Sequence, residues 1–226
     1  PRQVTTHAAR DTSPVWSPDG QTLAFLSNRE DDVSEVWLIP VAGGDARRLT
    51  TQGASRPRWS PDGRDIVFQS SAGMDAQMQA WRVPVAGGTA TQLTEGGYAA
   101  QSEYAPDGQA LAYQSHDGVG FDIYVMPAAG GAATRLTSEE DDEGSPRWSP
   151  DGSRVAFLSG ETDSRSLQVV SAAGGDLTRL TDPTGAVGSY EWLPDGSALV
   201  YSLREGRANL WRAEIGRLLQ GATRGR

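Results

Sequence analysis

Apolar and polar positions alternate along this chain in short runs, and the runs recur at a fixed interval. Thr22-Leu23-Ala24-Phe25-Leu26 is matched by Ile66-Val67-Phe68, Leu111-Ala112-Tyr113, Val155-Ala156-Phe157 and Leu199-Val200-Tyr201. Short alternating runs bounded by glycine, proline and aspartate predict β-strands. The same punctuation stands ahead of each run: Trp16-Ser17-Pro18-Asp19-Gly20 returns as Trp59 to Gly63, Tyr104 to Gly108, Trp148 to Gly152 and Trp192 to Gly196. The aspartates Asp19, Asp62, Asp107, Asp151 and Asp195 lie 43, 45, 44 and 44 residues apart. A strand-rich repeat of about 44 residues predicts a β-propeller.

Local chemistry explains the punctuation. Proline presets φ for a type I turn, aspartate bonds the turn backbone, and glycine takes the positive φ that follows, so each Pro-Asp-Gly is a hairpin tip. The pairs Gly43-Gly44, Gly87-Gly88, Gly130-Gly131 and Gly174-Gly175 suit two-residue hairpins between a third and a fourth strand. Each repeat then supplies four antiparallel strands, one blade. The expected fold is all-β, a propeller of five four-stranded blades at 13–50, 55–94, 100–137, 145–181 and 188–219. The fifth repeat lacks the Gly-Gly pair. Pro1-Arg2-Gln3-Val4-Thr5 matches the Leu-Thr ends of the other repeats, for Val4 precedes Asp19 as Leu136 precedes Asp151. Residues 1–5 are therefore expected to close blade five, protecting its edge. The competing reading gives them to a blade outside this chain. A closed ring predicts a monomer, and open blade edges predict self-association.

Meander geometry puts the Pro-Asp-Gly and Gly-Gly turns at one end, nearly constant from repeat to repeat. The second-to-third-strand loops and the links between blades lie at the other end and hold nearly all the variation. That variable end is the candidate binding face.

Composition narrows the partners. Twenty basic against 29 acidic residues leave a net charge of −9, which disfavours nucleic acid, since affinity for phosphates comes from lysine and arginine. No cysteine is present, so thiolate chemistry is excluded while cytoplasm and periplasm both stay open. No apolar run reaches the roughly 18 residues of a membrane span, and no membrane insertion is expected.

Candidate chemistry is sparse. The aromatics Trp16, Trp59, Tyr104, Trp148 and Trp192 are expected to pack between blades. The position just before them holds Val15, Arg58, Glu103, Arg147 and Glu191, charges of alternating sign. On inner strands these would ring the channel, with Arg58 beside Glu103 and Arg147 beside Glu191. They read either as a structural ion-pair ring or as a site for a ligand's carboxylate or ammonium group. His116 and Asp117, in a variable-end turn, join the partner-binding candidates. The run Glu139 to Glu143 reads as a solvated acidic loop, lacking the spacing and glycine of a calcium loop. No metal and no cofactor is expected. There is no Gly-x-Ser-x-Gly elbow. Glu103 with Glu191 is the pair a glycosidase would use, but their arginine neighbours are expected to lower both pKa values, which disfavours a general acid.

The succession Trp-Ser-Pro-Asp-Gly, apolar strand, Ser-Asn-Arg, Val-Trp-Leu-Ile-Pro, Gly-Gly, Arg-Arg-Leu-Thr resembles the TolB-type propeller repeat over essentially the whole chain. TolB has six such repeats against five in this chain, and carries an N-terminal helical domain. The resemblance implies a non-catalytic scaffold that engages proteins or peptides, periplasmic if the likeness extends to function. The same repeat builds the propellers of prolyl-oligopeptidase relatives and tricorn-like proteases. That implies an alternative, a gating propeller whose serine-hydrolase domain lies outside this chain. An excised or engineered array is a third reading.

Overall fold

Every blade begins with a strand that is bent in the same place. The computed structural model describes residues 2–73, 77–116, 118–181, 185–205 and 207–216. Blade one is β1 (Asp11–Trp16), β2 (Thr22–Ser27), β3 (Glu35–Pro40) and β4 (Arg47–Arg48), and blade two is β5 (Ser55–Trp59), β6 (Asp65–Ser70), β7 (Gln79–Pro84) and β8 (Thr91–Gln92). Blade three is β9 (Tyr98–Tyr104), β10 (Ala110–His116), β11 (Phe121–Pro127) and β12 (Thr134–Arg135). Blade four is β13 (Glu143–Trp148), β14 (Arg154–Ser159), β15 (Ser166–Ser171) and β16 (Thr178–Arg179), and blade five is β17 (Ala186–Trp192), β18 (Ala198–Glu205) and β19 (Arg207–Glu214). All pairings are antiparallel between neighbours in sequence, which makes five meander sheets arranged as a propeller.

The bend is a β-bulge in the inner strand. In blade one the pairs Thr12↔Leu26 and Val15↔Ala24 set three residues of β1 against two of β2. The extra residue is left-handed at Ser13, Arg56, Gln101 and Ser145, with φ between 48° and 57°. None is glycine, so the bulge carries backbone strain four times over. No feature of the apolar pattern marks it.

The Pro-Asp-Gly tips form as expected. The Gly20 N–H donates to the Ser17 carbonyl at 2.9 Å, Gly20 takes φ 68°, and Asp19 Oδ1 accepts from the Gln21 N–H at 2.9 Å. The tips also pack side by side, Pro18 Cδ lying 3.7 Å from the point where a Gly63 Cβ would stand. The Gly-Gly connections are longer than two-residue hairpins. β3 pairs with β4 through Leu38↔Arg47, and a turn closed by Gly43 N–H to the Pro40 carbonyl occupies part of the loop between them. Both glycines do take positive φ, 104° and 127°.

The Leu-Thr that ends each fourth strand has a structural task. The hydroxyls of Thr50, Thr94, Thr137 and Thr181 accept from the N–H of Val36, Ala80, Ile123 and Leu167, each at 2.9 Å. In blade one Thr50 also donates to buried Glu35 at 2.5 Å, and Glu35 takes the Gly53 N–H at 2.8 Å. A two-residue strand is too short to hold itself by ladder bonds, and this buried link pins it.

The core lies between blades. Ala24, Leu26, Val36, Leu38 and Leu49 of blade one meet Ile66, Phe68 and Val83 of blade two, and equivalent sets join the following blades. Among the described residues, blades one and five share no core cluster. Trp16 is 59% exposed, and on blade five Leu210 is 79% and Trp211 47% exposed.

The closing-strand expectation for residues 1–5 is corrected. Pro1 lies outside the described residues, Arg2 to Thr5 form no strand, and blade five has three strands among the described residues. Val4 packs instead on Phe25, Trp37 and Ile39 of blade one, and Arg2 Nη2 donates to the Ala42 carbonyl at 2.6 Å. That apolar slot draws the valine. On β19, which pairs with β18 alone among the described residues, Arg212 and Glu214 pair with each other at 2.8 Å. No helix among the described residues is long and apolar enough to cross a membrane.

Candidate functional site

The inner strands converge on a cavity of about 580 Å³ lined by Ser13, Pro14 and Val15 of blade one together with Arg58, Glu103, Arg147 and Glu191 of the others. The bulge aims these side chains. After the extra residue the strand re-enters the ladder at Val15, Arg58, Glu103 and Arg147, one residue before the aromatic that opens the hairpin tip. The four charged candidates therefore do share one site.

Half of their expected pairing forms, Arg147 beside Glu191, and the Arg58–Glu103 half does not. Arg147 bonds Glu103 through Nη1, and its Nε lies 3.8 Å from Glu191. Arg58 makes no ion pair with Glu103. Its one hydrogen bond among the described residues runs from Nη1 to the Pro57 carbonyl at 3.0 Å. Burial lowers the Arg58 pKa, and the Arg147 charge lowers it further. Burial also works to lower Arg147, but Glu103, Tyr190 and Glu191 together more than offset it and raise its pKa. The Glu103 expectation is reversed in sign: burial pushes its pKa up against the pull of Arg147. The Trp148 main-chain N–H, 3.4 Å from Glu103 Oε1, also pulls the pKa down, and burial outweighs both.

The aromatics behind the channel lock one blade to the next. Indole Nε1 of Trp59 donates to the Val15 carbonyl at 3.2 Å, that of Trp148 to Glu103 at 3.2 Å, and that of Trp192 to Arg147 at 3.3 Å. Trp16 departs from the interblade expectation because no preceding blade covers it. Tyr190, half-buried, holds its hydroxyl between the carbonyls of Ser145 and Ala156, the latter at 2.9 Å, with one proton shared toward the two. Burial raises its pKa well above the ordinary value.

His116 and Asp117 do not join this site. His116 ends β10 at the variable end, stacks edge-on against Phe121 at 4.8 Å and accepts the Gly118 N–H at 3.0 Å through Nδ1. Asp117 lies outside the described residues. The candidate site is thus split: the charges sit toward the constant end of the inner strands, and the variable loops stand about four residues away, roughly 13 Å along an extended strand.

The acidic link also differs from its expectation in one residue. Glu139 to Asp142 are exposed, but Glu143 is 1% exposed and neither of its carboxylate oxygens has a hydrogen-bond partner. Blade one places Asp11 at the same position and pairs it with Arg29 at 3.1 Å. No group of three or more His, Asp or Glu that could hold a metal is found among the described residues.

Two family profiles match, each over just more than half the chain: the tricorn protease N-terminal beta propeller domain over residues 1–119 and the TolB beta propeller domain over residues 103–219. The chain belongs to the TolB and tricorn family of β-propellers. Among solved structures the propeller resembles putative TolB from Agrobacterium tumefaciens, with a TM-score of 0.74 and 25% identity, covering 95% of this chain and 80% of that one. It also resembles a puromycin hydrolase, with a TM-score of 0.78 and 20% identity over 96% of this chain and 38% of that one. An oligogalacturonate lyase from Vibrio parahaemolyticus matches with a TM-score of 0.77 and 16% identity, covering 95% and 66%. These last two likenesses concern the fold alone. In sequence, 50 residues are 50% identical to the uncharacterized peptidase YuxL of Bacillus subtilis (strain 168), covering 21% of this chain and 8% of that peptidase. The chain thus spans a small part of that relative.

Proposed function

We propose that this propeller is a non-catalytic interaction module that takes a protein or peptide segment into its central channel and against the variable loops. The observation that supports the reading is the channel itself, a cavity of about 580 Å³ whose wall carries two arginines and two glutamates. Glu103 is committed to Arg147, so it does not serve as a free acid or base. A net charge of −9 suits protein partners better than nucleic acid. The compartment that goes with this reading is the periplasm.

The test is a peptide-display selection on the immobilised propeller, with enriched sequences measured by fluorescence anisotropy. Arg147→Met is expected to weaken the selected peptides at least tenfold. Peptides bound equally well by Arg147→Met and by a variant with residues 116–120 replaced by glycine and serine would overturn the reading.

The likeness to a peptidase favours a second reading, in which the channel sieves peptides for a hydrolase domain outside this chain. In that reading Arg147→Met in the longer protein changes KM for peptide hydrolysis far more than kcat. An unchanged KM would remove it.

A further inference from the structure

Arg58 is a guanidinium without a counter-ion. It is half-buried on the channel wall, and one of its five N–H donors is used, on the Pro57 carbonyl. The charges that face it are Arg147 and Arg56, which repel it, and Glu103 and Glu191, which attract it. Among the described residues neither glutamate comes within ion-pair distance, since both lean toward Arg147. On the adjoining wall, Ser13, Pro14 and Val15 of blade one bring no acid. The alternation of sign around the ring breaks at Val15, and Arg58 is the charge left over. A desolvated cation beside another cation is costly unless an anion joins it, and a planar guanidinium best matches a carboxylate gripped by two parallel hydrogen bonds.

We infer that the channel is a carboxylate-binding site, with Arg58 as the fork that grips the terminal or side-chain carboxylate of a peptide. The inference rests on the channel being the binding site of the proposed function and names the chemistry it takes. The cavity of about 580 Å³ admits the end of a chain. The remainder of an extended segment reaches the variable loops after roughly four residues. A polyphosphate is disfavoured because Glu103 and Glu191 stand beside the two arginines and would repel a second and third negative charge.

The test follows the arginine Nε–Hε signals of the full chain by NMR during titration with four probes: N-acetylalanine, N-acetylalanine amide, N-acetylaspartate α-amide, which keeps only its side-chain carboxylate, and inorganic phosphate. N-acetylalanine is expected to shift the Arg58 signal saturably, and the neutral amide to bind at least tenfold more weakly. Saturation by the aspartate derivative as well assigns side-chain carboxylates, and its absence assigns chain termini; both support the inference. Arg58→Leu should abolish the response, and Arg58→Lys, which keeps the charge and loses the fork, should restore only part of it. If Arg58→Leu fails to fold, as its amide dispersion will reveal, the native titration and Arg58→Lys decide. Equal binding of acid and amide, phosphate binding tenfold tighter than N-acetylalanine, or full affinity in Arg58→Leu would each overturn the inference. If display-selected peptides bind while N-acetylalanine leaves Arg58 untouched, this inference falls and the interaction reading stands. If no peptide is selected, the broader reading falls with it.

Discussion

Replacing Glu143 by glutamine should make the protein more stable, and only at neutral and alkaline pH. Glu143 is 1% exposed with both carboxylate oxygens unpartnered. Burial pushes its pKa from 4.5 to about 7, the Asp122 and Glu139 charges add to that, and Arg135 opposes it. The Thr137 hydroxyl also opposes the shift, from close by but outside hydrogen-bonding geometry. A folded-state pKa above the unfolded one means that the folded protein keeps a proton the unfolded chain has released. Stability therefore falls as pH rises from about 4.5 through 7. The gap of about 2.5 units, at about 1.4 kcal/mol each, makes the full cost roughly 3 kcal/mol above pH 8. Glutamine keeps the shape and removes the titration.

Urea unfolding of the two proteins at pH 5 and pH 8 measures this. Glu143→Gln is expected to be about 3 kcal/mol more stable than the native chain at pH 8 and within about 1 kcal/mol at pH 5. A difference independent of pH, or a variant less stable at pH 8, would refute the reasoning. Blade one supplies a control of opposite sign. Burial tends to raise the pKa of Asp11, but Ser27, Thr5 and Arg29 outweigh that and hold it below 3.8. Asp11→Asn should therefore destabilise at neutral pH, with the loss shrinking as pH falls through the folded-state pKa.

The other expectations bear on packing and assembly. Trp148→Ala should cost about 3–5 kcal/mol by thermal or urea unfolding, whereas Trp16→Ala, at a site 59% exposed, should cost under about 1. Equal losses would show that Trp16 is covered in solution. Thr50→Val removes a bond to buried Glu35 as well as to the Val36 N–H, so it should cost about 1–3 kcal/mol and more than Thr181→Val, where neutral Ser166 stands in place of the glutamate. Tyr104→Phe deletes a buried hydroxyl without a partner and is expected to be neutral or stabilising by up to about 1 kcal/mol. A loss above 2 would mean that the hydroxyl is bonded. Light scattering across a concentration range should give a mass above 24.0 kDa that falls on Leu210→Asp, because Leu210 and Trp211 stand exposed on blade five.

The blades were legible because their signals are local. A proline, an aspartate and a glycine specify a turn wherever they fall, and two-residue alternation specifies a strand. The ring of charges was legible for the same reason, as one repeat position changing sign. What escaped depends on neighbours. The bulge at Ser13, Arg56, Gln101 and Ser145 has no residue signature, since serine, arginine and glutamine all occupy it. The pairing within the ring turned on which glutamate Arg147 reaches, and the direction of the Glu103 shift on how deeply the channel wall desolvates it. Residues 2–5 were misplaced because their match to the Leu-Thr strands is real, yet the partner they choose is set by the slot between Phe25, Trp37 and Ile39.

The position lining the channel illustrates how a repeat protein can vary its chemistry without weakening its fold. At Val15, Glu103 and Arg147 the main-chain carbonyl performs the structural task by accepting the indole N–H of the next blade. The side chain contributes nothing to that bond. A valine, a glutamate and an arginine therefore serve the interblade lock equally, and the residue type is free to answer to whatever enters the channel. Arg58 breaks the pattern on both counts: blade three brings Tyr104, which has no indole N–H to offer its carbonyl, and no acid neutralises its guanidinium. Restoring the lock with Tyr104→Trp should tighten the junction between blades two and three while leaving carboxylate binding at Arg58 unchanged. Hydrogen exchange at the Arg58 and Ala105 amides, set beside the N-acetylalanine titration, separates the two effects. If slower exchange comes with weaker binding, main chain and side chain at this position are coupled and do not divide the labour between lock and ligand.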